Sequence, residues 1–434
     1  MSARAGVWVL ALSVVTPVQA SLRVGGIVDV AHAVETGDGR TQKSELTVLP
    51  VLDWRSPWGI DWTAVGRLRA DAVDRLEPQR PEQRTVGAWN RRMLAGDDAE
   101  AELRELYAEA YWGDHYLRLG KQQVVWGQSD GLKVLDRVNP QSFREFILDD
   151  FEDSRIPLWS VKWEVPVGDR WLAQWLLILD QTYHELPSEE GVYAFEASEF
   201  RPTLAADDVV LGRQFDKPDR PLRDADVGTQ WSARFSGWDV TFNYLFHYAD
   251  QPVVRVLRTE NGVRIQTAYE RTQTVGATAS NAFGDFTLRT EMGYTTDRYV
   301  FGHPASSVDG VVRGGELAYV VGVDWMGLRD TLVSAQFFQS WFDRGRSAAR
   351  RRSVETDVTL LLERRFMNDV LKVGGLLIHD IDRGDGLLSP AISFDYRANL
   401  IVRFEADVFY GNEDGRYGQF DHRDRLVVGV EYGF

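Results

Sequence analysis

The residues of this chain that could carry chemistry crowd into one stretch, 127–157. It holds Asp130, Lys133, Asp136, Arg137, Arg144, Glu145, Asp149, Asp150, Glu152, Asp153 and Arg155. Acids and arginines at this density have two uses. They can pair and brace a structure, or they can face one another across a gap and set a transverse field that orients dipolar solutes. The polar faces of the other segments add Arg67, Arg69, Arg118, Gln122 and Arg403. Arg67, Arg69, Arg118, Gln122, Asp130, Arg137, Arg144, Asp149, Asp150, Asp153, Arg155 and Arg403 are therefore the candidate residues of a pore constriction.

Catalytic chemistry has less to work with. The seven His are scattered one per segment, and none has metal-ligand spacing such as HExxH. His184, between Tyr183 and Glu185 at a loop start, is the one placement that would suit a hydrolase on the rim, and no GxSxG accompanies it. The run Asp380-x-Asp382-x-Gly384-Asp385-Gly386 loosely resembles a calcium loop, but it lacks the Glu at the twelfth position and reads as a tight turn. With no cysteine, a disulfide scaffold, a thiolate-bound metal and a thiol nucleophile are excluded. No catalytic residue, metal or cofactor is expected. The formal charge of -16 argues against nucleic acid as a partner.

The elements that must position these residues alternate with period two. Leu22, Val24, Gly26, Val28 and Val30 share one face, Arg23 and Asp29 the other. Leu117 and Leu119 oppose Arg118, Gly120 and Gln122, and Val240, Phe242, Tyr244, Phe246 and Tyr248 oppose Thr241, Asn243 and His247. The alternating segments run to about 10–14 residues, longer than the usual soluble strand and suited to a tilted strand crossing a bilayer. Mean hydropathy is -0.30, yet the chain holds 15 Trp, 15 Tyr and 21 Phe, as expected when only alternate residues face lipid. Trp and Tyr near strand ends read as interfacial girdles, with a sugar-stacking slide as the other use.

Connections alternate short and long. Turns fall at 56–59, 113–115, 168–169, 236–237, 283–285, 327–330, 367–369 and 397–399, with longer polar stretches between them. The predicted fold is all-β: a transmembrane antiparallel barrel of about 18 strands (16 if one pair is merged), with short periplasmic turns and long outer loops. The stretch 127–157 breaks this rhythm. It is too apolar for a disordered tail and reads as a loop folded back into the lumen. Within it, Asn139-Pro140 is expected to start a short helix with Phe143, Phe146, Ile147 and Phe151 as one stripe and the acidic run at its C-terminal end. The basic run Arg344, Arg346, Arg350, Arg351 and Arg352 falls on an outer loop, where it could meet lipopolysaccharide phosphates, an anionic solute or only water.

The ends carry their own signals. Residues 1–20 have Arg4, an apolar core and a small-residue cleavage site, the pattern of a secretory signal peptide, leaving 21–434 as the barrel. Its removal makes the chain one charge more negative. The last segment places Leu426, Val428, Val430, Tyr432 and Phe434 on one face. A terminal Phe on such a strand resembles the signal read by the outer-membrane barrel assembly machinery.

Gly120, Lys121, Gln122, Trp126, Gly127, Asp130, Asn139 and Pro140 together resemble an element of a porin-like family of bacterial outer-membrane proteins whose formal label is a domain of unknown function. Alginate-export barrels are more distantly similar. The resemblance implies an outer-membrane channel, in some members linked to movement of apolar or organic compounds, and no catalytic residue. The expected function is passive diffusion of small solutes, organic compounds or oligosaccharides, with selectivity set by the inserted loop. A barrel enzyme acting at the rim and a non-conducting surface-binding barrel stay open as alternatives. Expected partners are outer-membrane lipid and lipopolysaccharide, the assembly machinery and the solute, in a monomer or trimer. The net charge predicts weak cation preference, unless inward arginines dominate at the constriction.

Overall fold

The computed structural model describes residues 20–78, 83–205, 207–304, 306–344 and 348–434. The expected signal peptide (Ala20 apart) and Arg346 lie outside the described residues. Eighteen strands form a ring: β1 (Ser21–Glu35), β2 (Thr41–Arg55), β3 (Asp61–Asp71), β4 (Ala99–Trp112), β5 (His115–Gln122), β6 (Leu158–Val167), β7 (Trp171–Ile178), β8 (Asp226–Phe235), β9 (Trp238–Tyr248), β10 (Arg271–Phe283), β11 (Phe286–Phe301), β12 (Val311–Trp325), β13 (Thr331–Phe342), β14 (Val354–Phe366), β15 (Leu371–Asp380), β16 (Asp385–Arg397), β17 (Leu400–Tyr410) and β18 (Arg425–Gly433). Each pairs antiparallel with its chain neighbours, and β18 pairs with β1, so the sheet has no free edge. Among the described residues no helix is long and apolar enough to cross a membrane.

The pleat puts apolar residues outside and polar ones inside, the reverse of a soluble core. On β1, Leu22, Val24 and Val30 are exposed while Ala31, Ala33 and Glu35 are buried; on β13, Phe337 and Trp341 are exposed while Ser334 and Gln336 are buried. Connections at one end are short: 56–60, 113–114, 168–170, 236–237, 284–285, 326–330, 367–370 and 398–399. The turn between β8 and β9 places both Ser236 and Gly237 at positive φ, the geometry that continues the twist of a two-residue hairpin. At the other end lie 72–98, 123–157, 179–225, 249–270 and 411–424, every one an odd-to-even connection. Parts of two of these loops form a small separate sheet of Val210–Asp216, Val253–Thr259 and Gly262–Ala268.

Several outer loops, rather than one, turn inward. Leu76, Phe146, Val192, Tyr193, Tyr417 and Phe420, from four different connections, pack with Ile378, Leu387 and Phe409 of the wall. The alternation marks the inner face as polar; beside β15–β17 it is apolar because the loops need a surface to bury against.

The seam between β1 and β18 ends on Phe434. Its backbone N–H donates to Gly26 O at 3.0 Å, and its carbonyl accepts from Gly26 N–H at 3.0 Å. A Cβ at Gly26 would lie 2.5 Å from Leu49 O and 2.7 Å from the Phe434 ring. Gly26→Val is expected to destabilise the closed barrel by roughly 1–3 kcal/mol, the usual cost of overpacking, seen as a smaller heat-modifiable folded fraction on SDS gels.

Candidate functional site: a lumen crossed by a braced loop

The inserted segment leaves β5 at Gln122 and re-enters β6 at Leu158, and one side chain holds its two ends together. Asn139 is buried; its Oδ1 accepts from Val124 N–H at 2.7 Å, and its Nδ2 donates to Ile156 O at 2.9 Å and Gln122 O at 3.4 Å. Ile156 N–H donates to Pro140 O at 2.8 Å. Gln122, also buried, donates to Ser160 O at 3.2 Å. Asn139-Pro140 therefore does not start a helix, as the sequence suggests. Its carboxamide is spent on strand-end backbone, residues 141–142 make isolated bridges, and Phe146 sits at φ 57. The helix is instead Phe151–Ser154. Its acids Glu152 and Asp153 fall in the first turn, where the dipole favours them, and Arg104 of β4 donates through Nη2 to the carbonyls of Glu152, Asp153 and Arg155 at 2.8–2.9 Å.

From that base the segment crosses to β11 and β13. Gln128 N–H donates to Glu291 Oε2 at 2.8 Å, and Leu135 N–H to Glu291 Oε1. Arg289 donates to Gln128 O at 2.6 Å and pairs with Asp130, whose own N–H donates to Gln336 at 3.1 Å. Apolar side chains seat on glycines of the inner wall. Leu135 fills the space where Gly276 and Gly293 lack a Cβ, and Trp126 lies on Gly228 while its Nε1 donates to Gln174 at 2.9 Å. The next turn is tied to the other side of the barrel. Arg144 pairs with Glu45 at 2.6 Å and Glu77 at 2.8 Å; Glu145 takes Lys43 at 2.7 Å and Arg425 at 2.6 Å.

The candidate residues thus scatter over several jobs instead of one ring. Gln122 closes the base. Asp130, Arg144 and Arg155 (2.8 Å from Asp136) brace the loop; Asp150, exposed, directly precedes its helix without a capping side-chain bond, and Asp153 lies within that single turn. Arg67 and Arg69 pair within the wall to Glu102 and Glu100 at 2.6 Å, Arg118 to Glu109 at 2.5 Å, and Arg403 to Asp29 at 2.7 Å. Asp149 lies beside the Glu145 cluster, and Arg137 lines open space. Of the basic run, Arg350 donates to Ser198 O and Arg201 O, and Arg351 turns into the lumen.

That open space is a cavity of about 380 Å³ on the long-loop side, with Phe143, Phe146, Phe195, Phe200 and Phe338 on its lining together with Arg137, Arg298, Arg351, Arg416, Glu316 and Glu355. A second cavity of about 210 Å³ adjoins it and shares Lys133, Arg137, Phe143, His184 and Arg298. Arg298 escapes sequence reading for a physical reason. Arg289 and Glu291 face inward, but a register shift between Thr295 and Arg298 turns Arg298 inward as well, where strict alternation would aim it at lipid. His184 is not poised as a base: its Nδ1 accepts from Gln141 N–H at 2.9 Å, and burial with Arg298, Lys133 and Arg137 nearby holds it down at about 3.

The family described as a protein of unknown function (DUF1302) matches residues 70–434. The chain belongs to that family. No curated protein matches it. Among solved structures it is similar to Pseudomonas aeruginosa OccK1 (OpdK), at TM-score 0.52 and 11% identity over 95% of this chain and 98% of that one. It is also similar to Acinetobacter baumannii OccAB1, at 0.52 and 7% over 96% of each, and to Pseudomonas aeruginosa OccK5 (OpdH), at 0.50 and 12% over 95% and 98%. The DUF1302 chain therefore has the closed 18-strand barrel fold of these structures, as the alternation and the Gly120–Pro140 element imply.

Burial and the Glu145 charge push Asp149 up to about 6. A carboxyl raised above its unfolded value of 3.8 costs stability when ionised, so the cost is full above pH about 6 and fades as pH falls toward 3.8. Asp149→Asn is expected to raise the unfolding midpoint above pH about 6 and to give progressively less below it, measured by urea unfolding in detergent across that range.

Proposed function

We propose that this DUF1302 protein is an outer-membrane channel passing small solutes passively, with its lumen narrowed by segment 123–157. The observation that carries the reading is that segment's course. It crosses a closed, polar-lined barrel, binds Glu291, Arg289 and Gln336 on the far wall, and leaves a lined cavity beside it. Side chains bonded at both ends make a constriction of fixed shape, which is what selectivity by size and charge needs. Residues 1–20 act as the removed signal peptide and 21–434 as the mature barrel, delivered by the assembly machinery through the Phe434 strand to a bilayer of lipid and lipopolysaccharide. No catalytic step is assigned.

A specific observation favours a second reading, a non-conducting binding barrel: four connections contribute to the apolar cluster inside the wall. Single-channel conductance in planar bilayers separates the two. The intact protein is expected to conduct, and a chain lacking 129–154 to conduct several-fold more with weaker ion selectivity. Closed behaviour in both proteins overturns the channel in favour of the binding barrel, and equal conductance in both removes the loop from the constriction.

A further inference from the structure

Most charges inside the barrel are matched. Arg425 sits between Glu145 and Asp407 at 2.6 and 2.7 Å, and Arg416 reaches Glu355 at 2.8 Å. Three cations on the cavity walls are held more loosely. The side chain of Lys133 is nine-tenths buried, and its ammonium makes no hydrogen bond. It lies 3.4 Å from Asp136, which Arg155 already holds at 2.8 Å. Arg298 donates through Nη2 to Gln251 Oε1 at 3.3 Å, but its Nε is buried without a hydrogen bond, 3.6 Å from Glu316 Oε2. Arg137 donates through Nε to Val134 O at 2.7 Å, and its Nη2 approaches the same Glu316 oxygen only to 3.7 Å. The other oxygen of Glu316 is taken by Arg351 at 2.5 Å. One carboxylate thus faces three guanidiniums, and the Lys133 ammonium on the same cavity wall has only the shared Asp136 and the face of the Phe151 ring, 4.3 Å away.

Lys133, Arg137 and Arg298 line both cavities, so they stand where the two meet. The other acids on these walls are engaged elsewhere: Glu355 by Arg351 and Arg416, Asp357 by Arg416 and Glu199 by Arg383. Asp297 is held by Arg313, and Asp250 faces the smaller cavity with burial pushing its carboxyl well up, toward the uncharged form. His184 is neutral. On the other side of the passage the larger cavity offers Phe146, Phe195, Phe200 and Phe338. Buried donors without partners cost free energy that an incoming acceptor recovers, and a carboxylate is the acceptor that suits paired guanidinium and ammonium groups.

The geometry points to a binding site for a small organic anion at this passage: its carboxylate accepts from Lys133, Arg137 and Arg298, and its apolar or aromatic body lies on the phenylalanine wall of the larger cavity. The cavity volume suits a one- or two-ring molecule. For its role in transport this inference rests on the channel reading, but the site can be tested apart from conduction.

The probes are benzoate and benzyl alcohol, which share a ring and differ in the anionic group. Calorimetric titration of the full-length barrel in detergent is expected to show benzoate binding at least about tenfold more tightly than benzyl alcohol, the equivalent of one charge-assisted hydrogen bond. Arg298→Gln and Arg137→Gln should each weaken benzoate by a similar factor and leave benzyl alcohol unchanged, while Arg298→Lys retains most of the affinity. Heat-modifiable mobility confirms that each variant is folded; should Arg298→Gln fail to fold, Lys133→Met carries the same test. Equal binding of the two probes, no binding of either, or benzoate affinity indifferent to these substitutions overturns the site. Bilayer currents then keep the readings distinct. Conduction without benzoate binding leaves the channel standing and removes the site; arginine-dependent binding in a barrel that never conducts keeps the site and removes the channel.

Discussion

A backbone that crosses lipid must bond every N–H and C=O to itself, and an antiparallel sheet can do so only by closing. The rest of this structure follows from that closure. Pairing β1 with β18 through Phe434 and Gly26 removes the edge, and the ring encloses a lumen whose width is set by eighteen strands. A lumen that wide is either open to water or occupied by chain. Here it is partly occupied, and the occupying chain has almost no secondary structure of its own to satisfy its backbone.

That need explains much of the charge on the inner wall. Glu291 accepts two loop N–H groups, Arg104 donates to three loop carbonyls, Arg289 donates to Gln128 O, and Asn139 serves both loop ends at once. An ion pair in such a place is weak evidence of stability, because desolvation offsets much of the attraction. A charged group bonded to otherwise orphaned backbone is different, since removing it leaves several buried polar atoms unpaired. The wall charges are as much caps for an irregular segment as they are pore lining.

The division between what could be read from the sequence and what could not follows the range of the interactions. Strands, turn rhythm, strand count and the closing segment were legible because period-two alternation is a local property, repeated many times, and closure demands all of it. The inserted segment was visible as an interruption of that rhythm, but its course was not. Asn139-Pro140 has the composition of a helix start, and only its partners, Val124 and Ile156 just beyond the flanking strand ends, reveal a staple. Arg298 was hidden by one register shift. The inward turns of Tyr193 and Tyr417 depend on one another and on Phe146, so no window of sequence contains the reason for them. A polar residue on an inward face or in the inserted segment looks the same in sequence whether it is paired in the wall or faces a cavity.

The same distinction of range governs ion preference. A net charge of -16 suggests cation preference, but that charge is spread over a molecule far larger than the screening length of about 8 Å at physiological ionic strength. What a solute meets in the narrow part of the lumen is the set of groups within a few ångströms, in surroundings less polar than water, where each counts for more. At the junction of the two cavities those groups are Lys133, Arg137 and Arg298 against a Glu316 already engaged by Arg351. An acidic protein can therefore present a basic passage, and on the channel function proposed above the sign of selectivity belongs to the few side chains whose partners are incomplete.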